Sequence, residues 1–221
     1  MFEQKKIGFI GPGVMAEAII AGLLREGVAA AESMLASGPR AERCEELSQH
    51  YGIFTTTDNT TVAKQSDVLV LSVKPQRLEK VLEGIRGLMK PTSLVLSIVA
   101  GAQIAKISNL LGHKLIIRSM PNTPAQIGEG ITVWTAAPLV EDEHKEMARK
   151  ILSALGEEIY VEEEHYLDKI LLDALENTGK SGHITFEDPD VIITVETIAQ
   201  WAGLSLWSRE ELQKYPFIRL D

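Results

Sequence analysis

Short apolar runs alternate with stretches whose apolar positions recur every three to four residues, from the start of the chain to about residue 161. The runs at 6–10, 34–37, 68–72, 94–98, 115–118, 131–135 and 158–161 predict strands. Val68-Leu69-Val70-Leu71 is apolar at every position, the pattern of a strand covered on both faces. Helical periodicity predicts helices over 15–25, 41–50, 75–88, 104–110 and 142–155. Pro75 near a helix start and Gly112 after a helix end are the expected punctuation. Strand and helix alternating in this way predict an α/β fold with a doubly wound, mostly parallel sheet and right-handed crossovers.

The pattern changes near residue 162. Glu162-Glu163-Glu164 reads as the solvated start of a charged helical stretch to about Asn177, followed by a loop at 178–182. Asp188-Pro189-Asp190 marks a turn before a β-branched strand at 191–198, with a further short strand at 204–207. Ser208-Arg209-Glu210-Glu211 has capping-box spacing for a last short helix that Pro216 ends. Trp201 and Trp207 fit a small core there. The expected organisation is an α/β domain over 1–162 and a small α+β appendix over 163–221.

Composition narrows the function classes. The chain has 221 residues and a formal net charge of −9, which argues against nucleic-acid binding by bulk charge. Its single cysteine, Cys44, forms no internal disulfide and fits a reducing, cytoplasmic setting. There is no apolar run of about 18 residues, so no membrane partner is expected. The first apolar run is broken by glycines and a proline, unlike a signal peptide. The five histidines show no metal-ligand spacing, and no nucleophile elbow of the G-x-S-x-G kind occurs, so no metal is expected.

The chemistry concentrates where strands end. Gly11-Pro12-Gly13-Val14-Met15-Ala16 follows an apolar strand and opens a helix, the G-x-G-x-x-A form of the dinucleotide fingerprint of Rossmann-type folds. Gly11 permits the tight turn, Gly13 lets the backbone approach a pyrophosphate, and Ala16 allows close packing of helix on strand. The amides from Val14 onward would then face the phosphates. An NAD site carries an acid at the end of the second strand. This chain has Ser37 there, with Arg40 and Arg43 following, which suits a 2′-phosphate and therefore NADPH over NADH. The alternative is that both arginines decorate a solvated helix face. Val73-Lys74-Pro75-Gln76, Ser97-Ile98-Val99-Ala100-Gly101 and Met120-Pro121-Asn122-Thr123-Pro124-Ala125 also follow strands, and each reads equally as a ligand loop or as plain connection.

Together these loops resemble the pyrroline-5-carboxylate reductase family. The resemblance rests on 7–18, Asp58-Asn59, 73–76, 97–101, and 118–125 through Gly128-Glu129-Gly130, in order over about residues 5–168. It implies reduction of 1-pyrroline-5-carboxylate, a small cyclic imino acid, to proline, with hydride passing from the nicotinamide of NADPH to the C=N carbon. By position it implies that Gly11, Gly13 and the amides near Val14 and Met15 hold the pyrophosphate. Ser37 and Arg40 would sit at the adenosine 2′ position and Asn59 near the ribose. Val73, Lys74, Pro75, Ala100 and Gly101 would border the nicotinamide, and Asn122 and Thr123 would line its loop. No residue is assigned as a catalytic acid, because a protonated imine is already electrophilic.

From Lys169 onward the chain departs from the helical dimerisation domain of that family. The stretch 186–198 with 202–206 is instead similar to the closing strands of a THUMP domain, an RNA-binding module. Two rival expectations follow: a catalytically silent NADP-binding module, and an RNA-linked protein acting through its tail. A monomer and a homo-oligomer both stay open.

Overall fold

The computed structural model describes residues 5–164 and, beyond them, the backbone of two strands. Strands β1 (Ile7–Ile10), β2 (Met34–Ser37), β3 (Phe54–Thr56), β4 (Val68–Leu71), β5 (Leu94–Ser97), β6 (Ile116–Pro121), β7 (Gly130–Ala136) and β8 (Gly156–Tyr160) form one sheet in the order β3-β2-β1-β4-β5-β6-β7-β8. Helices α1 (Val14–Arg25), α2 (Ala41–Tyr51), α3 (Asn59–Gln65), α4 (Pro75–Ile85), α5 (Ile104–Leu111) and α6 (Asp142–Ser153) connect them. Helices α3, α4 and α5 pack in series on one face, and α1 contacts α2 and α6 on the other. This is the doubly wound, Rossmann-type arrangement that the alternating pattern predicts. β1, β2, β4 and β5 are buried at every residue, as their continuous apolar runs require.

Three features depart from expectation. First, the sheet is mostly parallel as expected, but the sequence did not locate its antiparallel pair: β7 runs against β6, with Arg118 opposite Thr135 and Met120 opposite Val133. The connection at 122–129, which holds a 310 turn at Thr123–Ile127, is too short for a parallel crossover. β8 then pairs parallel with β7.

Second, β3 and α3 were not expected. β3 is a three-residue edge strand with Phe54 53% exposed, too short to show a period. Helix α3 reads Asn-Thr-Thr-Val-Ala-Lys-Gln and has weak intrinsic propensity. It is set by its cap and its packing. Asp58 accepts from Thr60 N–H at 2.9 Å, and Val62 and Ala63 are buried. Gly8 lets the helix lie directly on β1, because a Cβ there would fall 2.7 Å from Val62 Cγ1.

Third, Glu162 and Glu163 are exposed as expected, but Glu164 is half-buried and not free in solvent. Glu164 is bound to Arg118 and to the first amide of α5.

Beyond residue 164, β9 (Val191–Ile198) and β10 (Trp201–Ser208) pair antiparallel, from Trp201 opposite Ile198 to Ser208 opposite Val191. The strand expected at 204–207 is thus longer and starts at Trp201. The helical stretch expected to Asn177, the loop at 178–182 and the last helix lie outside the described residues, as does any placement of the 163–221 unit.

Candidate functional site

The order of strands around β1 reverses between β1 and β4, and a crevice opens at such a point outside the carboxyl ends of the strands. Gly11 turns the chain there with φ +94°, which a side chain would rarely accept. A Cβ on Gly11 would lie 2.8 Å from both Ser72 O and Val73 N. The turn is pinned on both sides: Gly11 N–H donates to Ser37 O at 2.9 Å, and Ser72 Oγ donates to Gly11 O at 2.8 Å. Sequence reasoning missed Ser72, whose place directly after an all-apolar strand is the available signal.

Gly13 caps α1 in extended backbone, and a Cβ built on it would meet nothing within 4 Å. Space is therefore left directly over the glycine at the start of α1. Val14, Met15 and Ala16 offer the first amides of that helix, which have no carbonyl partner inside it, and the helix dipole adds positive potential. Glu17 N–H is the first to turn back, to Gly13 O at 3.0 Å. Ala16 is fully buried against the sheet. These residues fit the pyrophosphate of a dinucleotide.

At the end of β2, Ser37 is fully buried and its Oγ donates to Asn59 Oδ1 at 2.8 Å, so these two expected ribose-side residues are brought together. The two arginines separate in role. Arg43 is occupied: its Nη2 pairs with Glu17 Oε2, its Nη1 lies 3.2 Å from Glu46 Oε2, and its Nε donates to Pro12 O at 3.2 Å. Burial alone would lower the Arg43 pKa, but hydrogen bonds and charge from Glu17 and Glu46 outweigh it and raise the value. Burial also raises the Tyr51 pKa, helped by its hydrogen bond to Glu17 Oε1 at 3.0 Å. Arg43 is thus a brace for the Gly11–Gly13 corner, and neither a phosphate ligand nor a solvated decoration. Arg40 is exposed at the N-terminus of α2; its carbonyl accepts from Cys44 N–H at 3.2 Å, and no hydrogen bond or ion pair among the described residues engages its guanidinium.

The remaining expected residues fall on the same edge of the sheet. Lys74 caps α4 and is exposed, with Pro75 in the first helical turn and Val73 half-buried behind the Gly11 turn. Ala100 is half-buried and Gly101 is exposed with φ +67°, in the loop from β5 to α5. Asn122 follows β6, and its Oδ1 accepts from Ile131 N–H at 2.9 Å, which holds the 122–125 corner against β7. Thr123 is exposed. Among the described residues there is no cluster of three or more metal-ligating side chains, and no helix is long and apolar enough to cross a membrane.

Known proteins share this arrangement. Residues 6–101 match a family described as NADP oxidoreductase, coenzyme F420-dependent. A pyrroline-5-carboxylate reductase of Vibrio alginolyticus is 38% identical over 170 residues, 76% of this chain and 62% of that protein. Another, from Synechocystis sp., is 39% identical over 210 residues, 95% of this chain and 74% of that protein. An alignment of that length necessarily runs past residue 168. The solved structure of a pyrroline-5-carboxylate reductase from Coxiella burnetii superposes with a TM-score of 0.70 at 29% identity, covering 80% of this chain and 71% of that one. The chain therefore spans 62% of the length of the Vibrio relative.

Proposed function

The chain belongs to the pyrroline-5-carboxylate reductase family, and from that premise we propose that it binds NADPH and reduces 1-pyrroline-5-carboxylate to proline as a cytoplasmic enzyme of proline biosynthesis. The observation that carries this reading is the Gly11–Gly13 corner at the β1/β4 reversal. There the space over Gly13 and the first amides of α1 meet the needs of a pyrophosphate. Ser37 stands at the end of β2 where an NAD site would place an acid, and Arg40, exposed at the start of α2, supplies a cation beside it, which supports NADPH over NADH.

When bound, the nicotinamide supplies the hydride that adds to the C=N carbon of the imine. The residues of this chain bind and orient. Gly11 and Gly13 admit the pyrophosphate; Ser37, Asn59 and Arg40 meet the adenosine end. Val73, Lys74 and Pro75, with Ala100 and Gly101, would border the nicotinamide. Asn122 and Thr123 line the remaining wall, where two prolines three residues apart stiffen the loop. Alignment of the reacting carbons is the main contribution such a site makes to hydride transfer. No observation favours the silent-module or RNA-linked alternatives.

The test is NADPH oxidation driven by pyrroline-5-carboxylate, on protein first shown by titration to be saturated with NADPH. Sustained turnover with proline as product upholds the proposal. Saturation without turnover would leave a cofactor-binding protein only, and equal affinities for NADPH and NADH would overturn the role of Arg40.

A further inference from the structure

The chain leaves the sheet beside the N-terminus of α5, and buried side chains hold it there. As β8 ends, Val161 N–H donates to Trp134 O at 2.9 Å. Thr135, buried on β7, donates its hydroxyl to Glu162 O at 3.5 Å. Arg118 on β6 has 0% exposure, and its Nη1 lies 3.1 Å from Glu164 Oε1. The same Glu164 oxygen accepts from Ile104 N–H at 2.8 Å.

Each end of this link touches the candidate site. Ile104 is the first residue of α5, and the residues just before it include Ala100 and Gly101. Arg118 stands opposite Ser97 of β5 and two residues before Met120-Pro121. One carboxylate therefore joins three parts: the loop after β5, the end of β6, and the segment after β8.

The chemistry gives this link one strongly preferred geometry. A guanidinium cannot shed its charge, so a buried one depends on its counter-charge. Ile104 N–H is one of the amides that a helix leaves without an internal partner, and Gln103 provides no side-chain cap. A carboxylate at that position also faces the positive end of the helix.

We propose that Glu164 and Arg118 are positioning residues. They fix the 98–103 loop against β6 and hold residues 161–164 in place after β8. The catalytic consequence rests on the reductase reading above; the mechanical hold does not. A loop bordering a reacting ring must keep one placement for the bound geometry to be productive, and this pair supplies that constraint.

The experiment uses the full chain with Glu164→Ala, Glu164→Gln and the neutral pair Arg118→Met/Glu164→Ala. Hydrogen exchange at the amides of 98–104 should accelerate at least ten-fold in Glu164→Ala. It should stay within about three-fold of wild type in Glu164→Gln, which keeps an acceptor for Ile104. With pyrroline-5-carboxylate, kcat should fall at least ten-fold in Glu164→Ala, with KM for NADPH within two-fold and partial rescue in Glu164→Gln. The neutral pair removes both charges of the link together, which guards against simple misfolding, and its kcat should fall between that of Glu164→Ala and that of wild type. Wild-type kcat in the neutral pair, or a lower melting temperature with unchanged kcat of the folded enzyme, would overturn the catalytic consequence. If wild type itself gives no turnover, the reductase reading fails and exchange decides the hold. Faster exchange at 98–104 then upholds it, and unchanged exchange overturns it.

Discussion

Gly11 and Gly13 stand two residues apart in one fingerprint, yet their neighbours assign them opposite liabilities. At Gly11 the backbone has φ +94° and a methyl group would press on Ser72 O and Val73 N at 2.8 Å. Gly11→Ala should therefore destabilise the protein by about 2 kcal/mol, a fall in melting temperature of roughly 4–8 °C for a chain of this size. At Gly13 the methyl group meets nothing within 4 Å, so Gly13→Ala should change stability by less than about 0.5 kcal/mol. It should instead weaken NADPH binding at least ten-fold, read by fluorescence titration, because the methyl group occupies the space a pyrophosphate needs. The arginines divide in the same way. Arg40→Ala should weaken NADPH by about ten-fold and leave NADH unchanged, as expected when a charge-assisted bond to a phosphate is lost. Arg43→Ala removes the contacts to Pro12, Glu17 and Glu46, and should lower stability by about 1–2 kcal/mol while weakening both cofactors equally. Paired titrations of the two variants with the two cofactors check this. Residue type and spacing made Arg40 and Arg43 equivalent, and only the family resemblance singled out Arg40; in the structure what separates them is Glu17, a partner 26 residues away that the packing of α1 on α2 brings near.

Among the elements, the strands with continuous apolar runs were readable because burial on both faces leaves its mark at every residue. β2 matches its expected bounds, and β4 and β5 each end one residue earlier than expected. The direction of β7 left no mark in its own residues; it follows from the short 122–129 connection, a signal present in the chain but overridden by the rhythm of the preceding units. Glu164 read as solvent-facing because its partner, Arg118, hides inside a buried strand. Helix α3 was unreadable because its stability comes from contacts with β1 and from the Asp58 cap. That cap has a measurable signature. Hydrogen bonds from the Thr61 and Thr60 hydroxyls, then from the Thr60 amide, lower the Asp58 pKa from 3.8 to about 2. A lowered carboxylate pKa stabilises the fold above the unfolded value and ceases to do so as pH falls through the folded one. Asp58→Ala should therefore be less stable than wild type at pH 7. The difference should narrow below about pH 4 and close near pH 2, as chemical denaturation across that range would show.

At the scale of the molecule, the site sits at the centre of the sheet and not at its rim. β1 and β4, whose ends form the Gly11 corner, have four strands of the sheet on one side and two on the other, and all eight are hydrogen-bonded in one series. The turn is bonded to both neighbours, through Ser37 O on β2 and through Ser72 after β4. A ligand held at that corner binds only when both strands are in place, so its binding free energy adds to the stability of the sheet as a whole. With NADPH at about 100 times its dissociation constant, the gain should be about 2.7 kcal/mol. For a chain of this length that corresponds to a rise in melting temperature of roughly 5–11 °C. The rise should grow with the logarithm of NADPH concentration. Gly13→Ala, which keeps the sheet and binds NADPH at least ten-fold more weakly, should melt as wild type does without NADPH and show at most about half the rise at the same concentration. Calorimetry on the two proteins across an NADPH series distinguishes this from a locally bound cofactor. A rise confined to amides near the corner in hydrogen exchange, with no change in the main transition, would mean that the corner frays independently of the sheet that builds it.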